Sequence, residues 1–275
     1  MATFDMNSAI INRFLRLTEV DLETNQANWL LRNVANPSAE FTGESVDKTD
    51  ERGILISRFD TAKGFVLSGE SSKLELGLMA SQLGTKVEVA DTTHKIKGED
   101  FEIIKVAVEG TSPSEKYTVT PAYKPLTAPD YVYILNKDKS LSSQKIEIDT
   151  SDAEGKAVYD ATTGKITMPD SFDKTVAYVG VLYEYETEDA VRVSDSSENF
   201  NKNAKYIAKL LVEDVCGISC ACTIVIPKGK IDNNFTINLT TEGNHPFSIT
   251  AMKDYCSEEE QLCYVLFGKN VGTTV

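Results

Sequence analysis

The last third of the chain limits its fold most strongly. From residue 176 to 267, apolar, β-branched and aromatic runs recur at a spacing near ten residues, with short turn signals between them. Residues 205–215 and 219–227 flank Cys216-Gly217-Ile218, residues 234–240 and 246–253 flank Glu242-Gly243-Asn244, and residues 261–267 close the series. Further upstream, Ala161-Thr162-Thr163-Gly164 joins 157–160 to 165–168 as a hairpin, because glycine takes positive φ at low cost. Residues 175–185 and 190–194 predict another hairpin, turning at 186–189. Short strands at this spacing predict an antiparallel sandwich or barrel, not a parallel α/β sheet.

The N-terminal part has a different texture. Ile10, Ile11, Phe14, Leu15 and Leu17 recur with helical spacing, and Trp29, Leu30, Leu31 and Val34 form a second apolar cluster. Asn36-Pro37-Ser38 ends that cluster, since proline stops a helix and restricts the residue before it. Residues 1–46 therefore read as an extended arm acting between subunits through Trp29, Leu30 and Leu31. Residues 47–275 read as one β-rich domain, with strands at 53–59 and 64–68 and a short packed helix at 72–82 that Gly84 is placed to end. Pro113, Pro121, Pro125 and Pro129 mark a loop region, part of an inserted sub-domain around 110–170. The expected class is mainly β: an antiparallel β-sandwich or barrel with a short packed helix, plus the N-terminal arm.

Charge narrows the function. The 275 residues carry 28 basic and 42 acidic side chains, a net charge of −14, which disfavours nucleic-acid binding. The first residues lack a basic stretch followed by an apolar core, and no apolar run approaches the roughly 20 residues of a membrane span. A cytoplasmic chain with no membrane partner is expected. All five cysteines lie after residue 215, and their odd number suits reduced thiols. The Cys-x-Cys spacing places Cys220 and Cys222 on one face of a strand, unlike the turn-borne knuckles of zinc sites.

Neither a metal nor a cofactor is expected, because no nucleophile-elbow, zincin, phosphate-loop or dinucleotide pattern is present. His94 and His245 are the only histidines, and nothing in their spacing to Cys256 calls for a thiolate–imidazole pair. An enzyme is therefore not expected. Glu184, Glu186, Glu188 and Asp189 form an acidic cluster whose ordinary role is a solvated turn. Its sharper role is an inner wall that holds DNA off by phosphate repulsion over about 8 Å.

Two segments resemble virion structural proteins of tailed bacteriophages, and tail tube proteins most of all. The first is GFVLSGESSKLELGLMASQLG at 64–84, which is similar to their early strand, short helix and glycine. The second is IPKGKIDNNFTINLTTEGNHPFSITAM at 226–252, which resembles their C-terminal turn, paired strands and aromatic run. The resemblance implies homo-oligomeric rings, hexameric in that family, stacked into a tail tube and assembled in the host cytoplasm. DNA would pass through without specific binding, and other tail proteins would be partners. It leaves open a capsid-decoration or neck and tail-terminator protein. From another class, a receptor-binding or carbohydrate-binding sandwich is the rival, and exposed aromatic residues in a groove would favour it.

Overall fold

The computed structural model describes residues 9–32, 34–112, 114–151, 153–214, 217–241, 243–253, 255 and 261–268. The chain divides into two units, Met1–Val87 with Val193–Val275, and Glu88–Arg192. The inserted unit is thus wider than the 110–170 expected. The first unit begins with β1 (Ile10–Asp21), β2 (Ala27–Leu31), β3 (Val34–Thr49), β4 (Leu55–Ser71) and α1 (Leu76–Leu83). The second holds β5 (Glu88–Val89), β6 (Ile96–Lys105), β7 (Ala107–Glu109), β8 (Lys116–Val119), β9 (Tyr131–Leu135), β10 (Leu141–Asp149), β11 (Ala157–Tyr159), β12 (Ile166–Thr167), β13 (Tyr178–Thr187) and β14 (Val191–Arg192). The chain returns to the first unit as β15 (Ala204–Glu213), β16 (Ser219–Ile231), β17 (His245–Ala251) and β18 (Tyr264–Gly268). The protein is mainly β, as expected, with antiparallel sheets and one short helix.

In the first unit the strand order is β2-β1-β15-β16-β17-β4-β3, with β18 also paired to β16, in a near-barrel sheet. Strict alternation drives β15: Ala204, Tyr206, Ala208, Leu210 and Val212 are buried while the residues between them are not. The inward positions join Leu17, Leu31, Phe65, Leu67, Ile226 and Ile249 in one core, closed by Leu78 of α1. The helix stops at Gly84, whose φ of 71° is left-handed, and the Thr85 N–H reaches back to the Ala80 carbonyl at 2.8 Å. A Cβ at Gly84 would sit 2.2 Å from the Phe200 carbonyl carbon, so only glycine fits.

The N-terminal arm is not what the fold contains. Residues 10–21 form a strand, with β1 hydrogen-bonded to β15 from Ile10↔Glu213 to Asp21↔Ala204, and β2 paired to the other side of β1. Register shifts between Ile11 and Arg13, and between Phe14 and Arg16, insert Asn12 and Leu15 as extra residues. Each insertion changes which face the next side chain meets, and that mimics helical spacing. The Asn36-Pro37 stop is also absorbed. β3 runs through it with a register shift between Ala35 and Ser38, and Asn36 takes φ 49°. The strands expected at 53–59 and 64–68 are one strand, β4. The strand expected at 234–240 does not form, because β17 takes its ladder partners from β16 and β4 and leaves those residues unpaired; Leu239 is 92 % exposed.

In the second unit the order is β6-β13-β9-β10-β11-β12-β8-β7, with β5 and β14 as a separate ribbon. Val132, Ile134, Val179, Val181 and Tyr183 pack on Val119, Tyr159, Ile166, Met168 and Phe172. The β11–β12 hairpin matches expectation. Gly164 has φ 75°, and Asp160 accepts from the Thr162 N–H and the Thr163 hydroxyl. The hairpin expected across 186–189 does not form. β6 occupies one edge of β13 along all ten residues, while β9, Leu126 and Pro125 take the other. β14 pairs with β5 instead, and Arg192 bonds Glu88 at 2.8 Å.

Candidate functional surfaces

The most unusual surface is the β3–β4 ribbon. β17 supports β4 only from Val66 to Ser71, so the pairs from Phe41↔Phe65 to Thr49↔Leu55 stand as a two-stranded ribbon of roughly 30 Å. Its turn is well made: the Asp50 carboxylate accepts from the Arg52 and Ile54 N–H groups, Gly53 has φ 77°, and Asp47 holds Arg58 through two bonds of 2.6 and 2.8 Å. Yet Val46, Ile54, Leu55, Ile56 and Phe59 are each more than half exposed. A two-stranded ribbon is only marginally stable alone in water; Val46 and Phe59 are directly opposed on one face, while Leu55, opposed to Thr49, lies on the face of Asp47 and Arg58. At the ribbon's base an open cleft of about 430 Å³ is lined by Phe41, Thr42, Gly43, Gly64, Phe65 and Leu262. The sequence signal for the tip is the run Ile54-Leu55-Ile56, within the strand expected at 53–59.

Trp29 and Leu31 do not face outward. They are 8 % and 1 % exposed and belong to the first unit's own core, with Trp29 Cβ lying against Gly77 of α1. Only Leu30, at 41 %, points to solvent. The same corner contains a buried carboxylate, Glu19, which accepts from Asn28 Nδ2 at 2.7 Å and from the Ser81 hydroxyl, tying β1 and β2 to α1. The Tyr206 hydroxyl lies beside Glu19 without hydrogen-bond geometry; burial first, then that negative charge, push its pKa up.

The four acids have unequal settings. Glu184 and Glu186 are exposed on one face of β13, opposite Tyr183 and Tyr185. Glu188 and Asp189 lie beyond the strand. Lys95 bonds Glu188 at 2.8 Å and Lys97 lies 4.0 Å from Glu186, so lysines counter two of the four. The face turns apolar beyond Glu184, at Leu182. This strand does not present a uniform acidic wall.

Cys220 and Cys222 are buried against Leu210 and Val212, and burial raises both thiols' pKa values. Cys263 is partly buried, also with a raised pKa, while Cys216 and Cys256 lie outside the described residues. Among the described residues, no three His, Cys, Asp or Glu side chains are grouped to hold a metal ion.

His245 is buried and fully partnered. Its Nδ1 accepts from the Glu75 N–H at 3.4 Å, so Nε2 carries the proton and donates to Gln82 Oε1 at 2.7 Å. Gln82 in turn donates to the Pro246 carbonyl at 3.0 Å. Burial lowers the pKa of His245. The unfolded chain takes up a proton near pH 6.5, whereas the folded chain does so only at lower pH. Stability from this group is therefore full above about pH 6.5 and is lost as pH falls toward the folded pKa. Urea unfolding from pH 7.5 to 5 is expected to show stability falling by up to about 1.4 kcal/mol per pH unit below 6.5. His245→Gln should flatten that limb, and an unchanged slope would reject the assignment.

The prominent features of the arrangement are its surfaces. Neither a family model nor a curated protein matches the chain.

Proposed function

We propose that the chain is a structural subunit that assembles with copies of itself into rings, stacked as the tail tube of a bacteriophage through which DNA passes. The observation that carries this reading is the β3–β4 ribbon: it extends beyond the sheet that supports it and exposes apolar side chains on both of its faces. A contact between unlike surfaces of identical chains closes into a ring or repeats along an axis. Sheet edges suit such contacts, because an open ladder pairs with a neighbour, and β2 and β3 are the edges of the first unit's sheet. Supporting features are the resemblance of 64–84 and 226–252 to tail tube proteins and the net charge of −14, which suits a conduit for DNA. A lumen-lining role is not assigned to Glu184, Glu186, Glu188 and Asp189. The proposed location is the virion tail, with other tail proteins as partners.

Negative-stain microscopy of the concentrated protein, with sedimentation at several salt concentrations, tests the proposal. Rings or tubes are expected. A monomer under every condition would remove it.

A further inference from the structure

The solvent-facing side of the second unit's sheet is unexpectedly aromatic. Ladder pairing fixes which residues share that side, since directly opposed residues point the same way. One row crosses four strands as Ile103, Gly180, Tyr133 and Lys145, and the next contains Phe101, Leu182, Tyr131 and Glu147. The opposite side is the buried one, with Val132, Val179 and Val181 each at 0 %. Phe101, Ile103 and Leu182 are 40, 46 and 43 % exposed.

These side chains touch one another. The Phe101 ring reaches across β13 over Gly180, where an added Cβ would lie 2.3 Å from its Cζ. Its centroid is 5.7 Å from that of Tyr133, which is 6.2 Å from that of Tyr131. Lys145 Nζ stands 3.7 Å above the Tyr131 ring. One row further on, Glu184 is directly opposed to Glu99, and neither has an ion pair among the described residues.

We propose that this face binds carbohydrate, with the Phe101 ring as the platform, Tyr133, Tyr131 and Leu182 around it, and Glu184, Glu99 and Lys145 as the polar rim. Size separates this occupant from a second copy of the chain. At roughly 200 Å² per large side chain, the three exposed apolar residues offer about 250 Å² of apolar surface, against about 450 Å² of apolar surface per partner in a standard protein interface. That area matches one or two sugar rings. The chemistry matches too. A sugar ring has an apolar C–H face to lie on an aromatic ring and an edge of hydroxyls that donate to carboxylates and accept from an ammonium. Unpaired carboxylates beside the platform disfavour a stacked nucleotide, whose phosphate they would repel. The inference stands apart from the assembly reading, since the ribbon belongs to the other unit.

The test is affinity electrophoresis of the full chain in native gels containing soluble mannan, dextran or β-glucan, with saturation-transfer NMR against N-acetylglucosamine oligomers. At least one probe is expected to bind. Phe101→Ala or Tyr133→Ala should weaken binding tenfold or more and Leu182→Ala several-fold, while Leu239→Ser in the first unit leaves it unchanged. Should Phe101→Ala unfold the protein by uncovering Gly180, Leu182→Ala and Tyr133→Ala carry the test, with circular dichroism as the fold control. The absence of binding to all four probes would overturn the proposal. So would binding that these substitutions do not alter, or a loss of self-association in Leu182→Ala without any effect of sugar, which would assign the face to a second copy.

Discussion

Deleting residues 1–32 is expected to unfold the first unit, not merely to prevent its assembly. β1 lies between β2 and β15, so removing both strands strips β15 of its ladder on one side. It also removes Leu17, Trp29 and Leu31 from the core and leaves Ser81 of α1 without the Glu19 carboxylate that accepts from it. Truncating one buried leucine to alanine costs about 2–5 kcal/mol and one tryptophan about 3–5, while a domain's whole stability is about 5–15. The three losses together, about 7–15 kcal/mol, are as large as that whole margin. Trp29→Ala alone should lower stability by about 3–5 kcal/mol, and the exposed Leu30→Ala by less than about 1. Trp29 is the only tryptophan. Its fluorescence therefore reports unfolding of this unit in the intact chain, and far-UV circular dichroism follows the variants that lack it. A truncated chain that stays folded would show that β1 and β2 are dispensable and revive the arm.

How much of this was legible depended on whether local pattern and tertiary pairing agreed. β15 reads directly, because Ala204, Tyr206, Ala208, Leu210 and Val212 hold every second position and the sheet buries each of them, with Ile207 and Leu211 the only apolar residues between. Gly84 and the turn before Lys165 read directly too, since each needs a left-handed glycine whatever surrounds it. The β1 segment misleads because two bulges change the parity of Phe14 and Leu17, and a sequence does not show where a strand has taken in an extra residue. The return strand after Asp189 misleads for a different reason. β6, some eighty residues upstream, had taken the edge of β13 that a local hairpin would use. The surfaces were the least legible. Ile54, Leu55 and Ile56 look like core strand, and only the absence of β17 beside them leaves them in water. The Phe101 platform depends on which side of β6 and β13 is buried: Phe101, between Asp100 and Glu102, reads as the inward residue of an alternating strand, and Leu182, between Val181 and Tyr183, decides nothing.

Replacing Val46 and Phe59 together with serine is expected to abolish self-assembly while leaving the subunit folded. The two are directly opposed across the ribbon and both more than half exposed, so neither contributes to the core. A cross-strand pair of this kind stabilises by about 0.2–1 kcal/mol, and the Asp50 turn and the Asp47–Arg58 bonds remain to hold the register. The cost to folding should therefore stay within about 1 kcal/mol. Assembly stands differently. If the tip docks on a neighbour, these two side chains bury roughly 100 Å² each, worth about 5 kcal/mol at 25 cal/mol per Å². Ordering losses at the contact reduce that figure. Even half of it raises the concentration needed for assembly by on the order of 100-fold. Sedimentation across a concentration series, beside urea unfolding of the same variant, separates the two effects. Serine at both positions with tubes forming at the unaltered concentration would show that the ribbon tip is not the contact. A matching loss of stability and assembly would show instead that the ribbon serves only the fold of its own subunit.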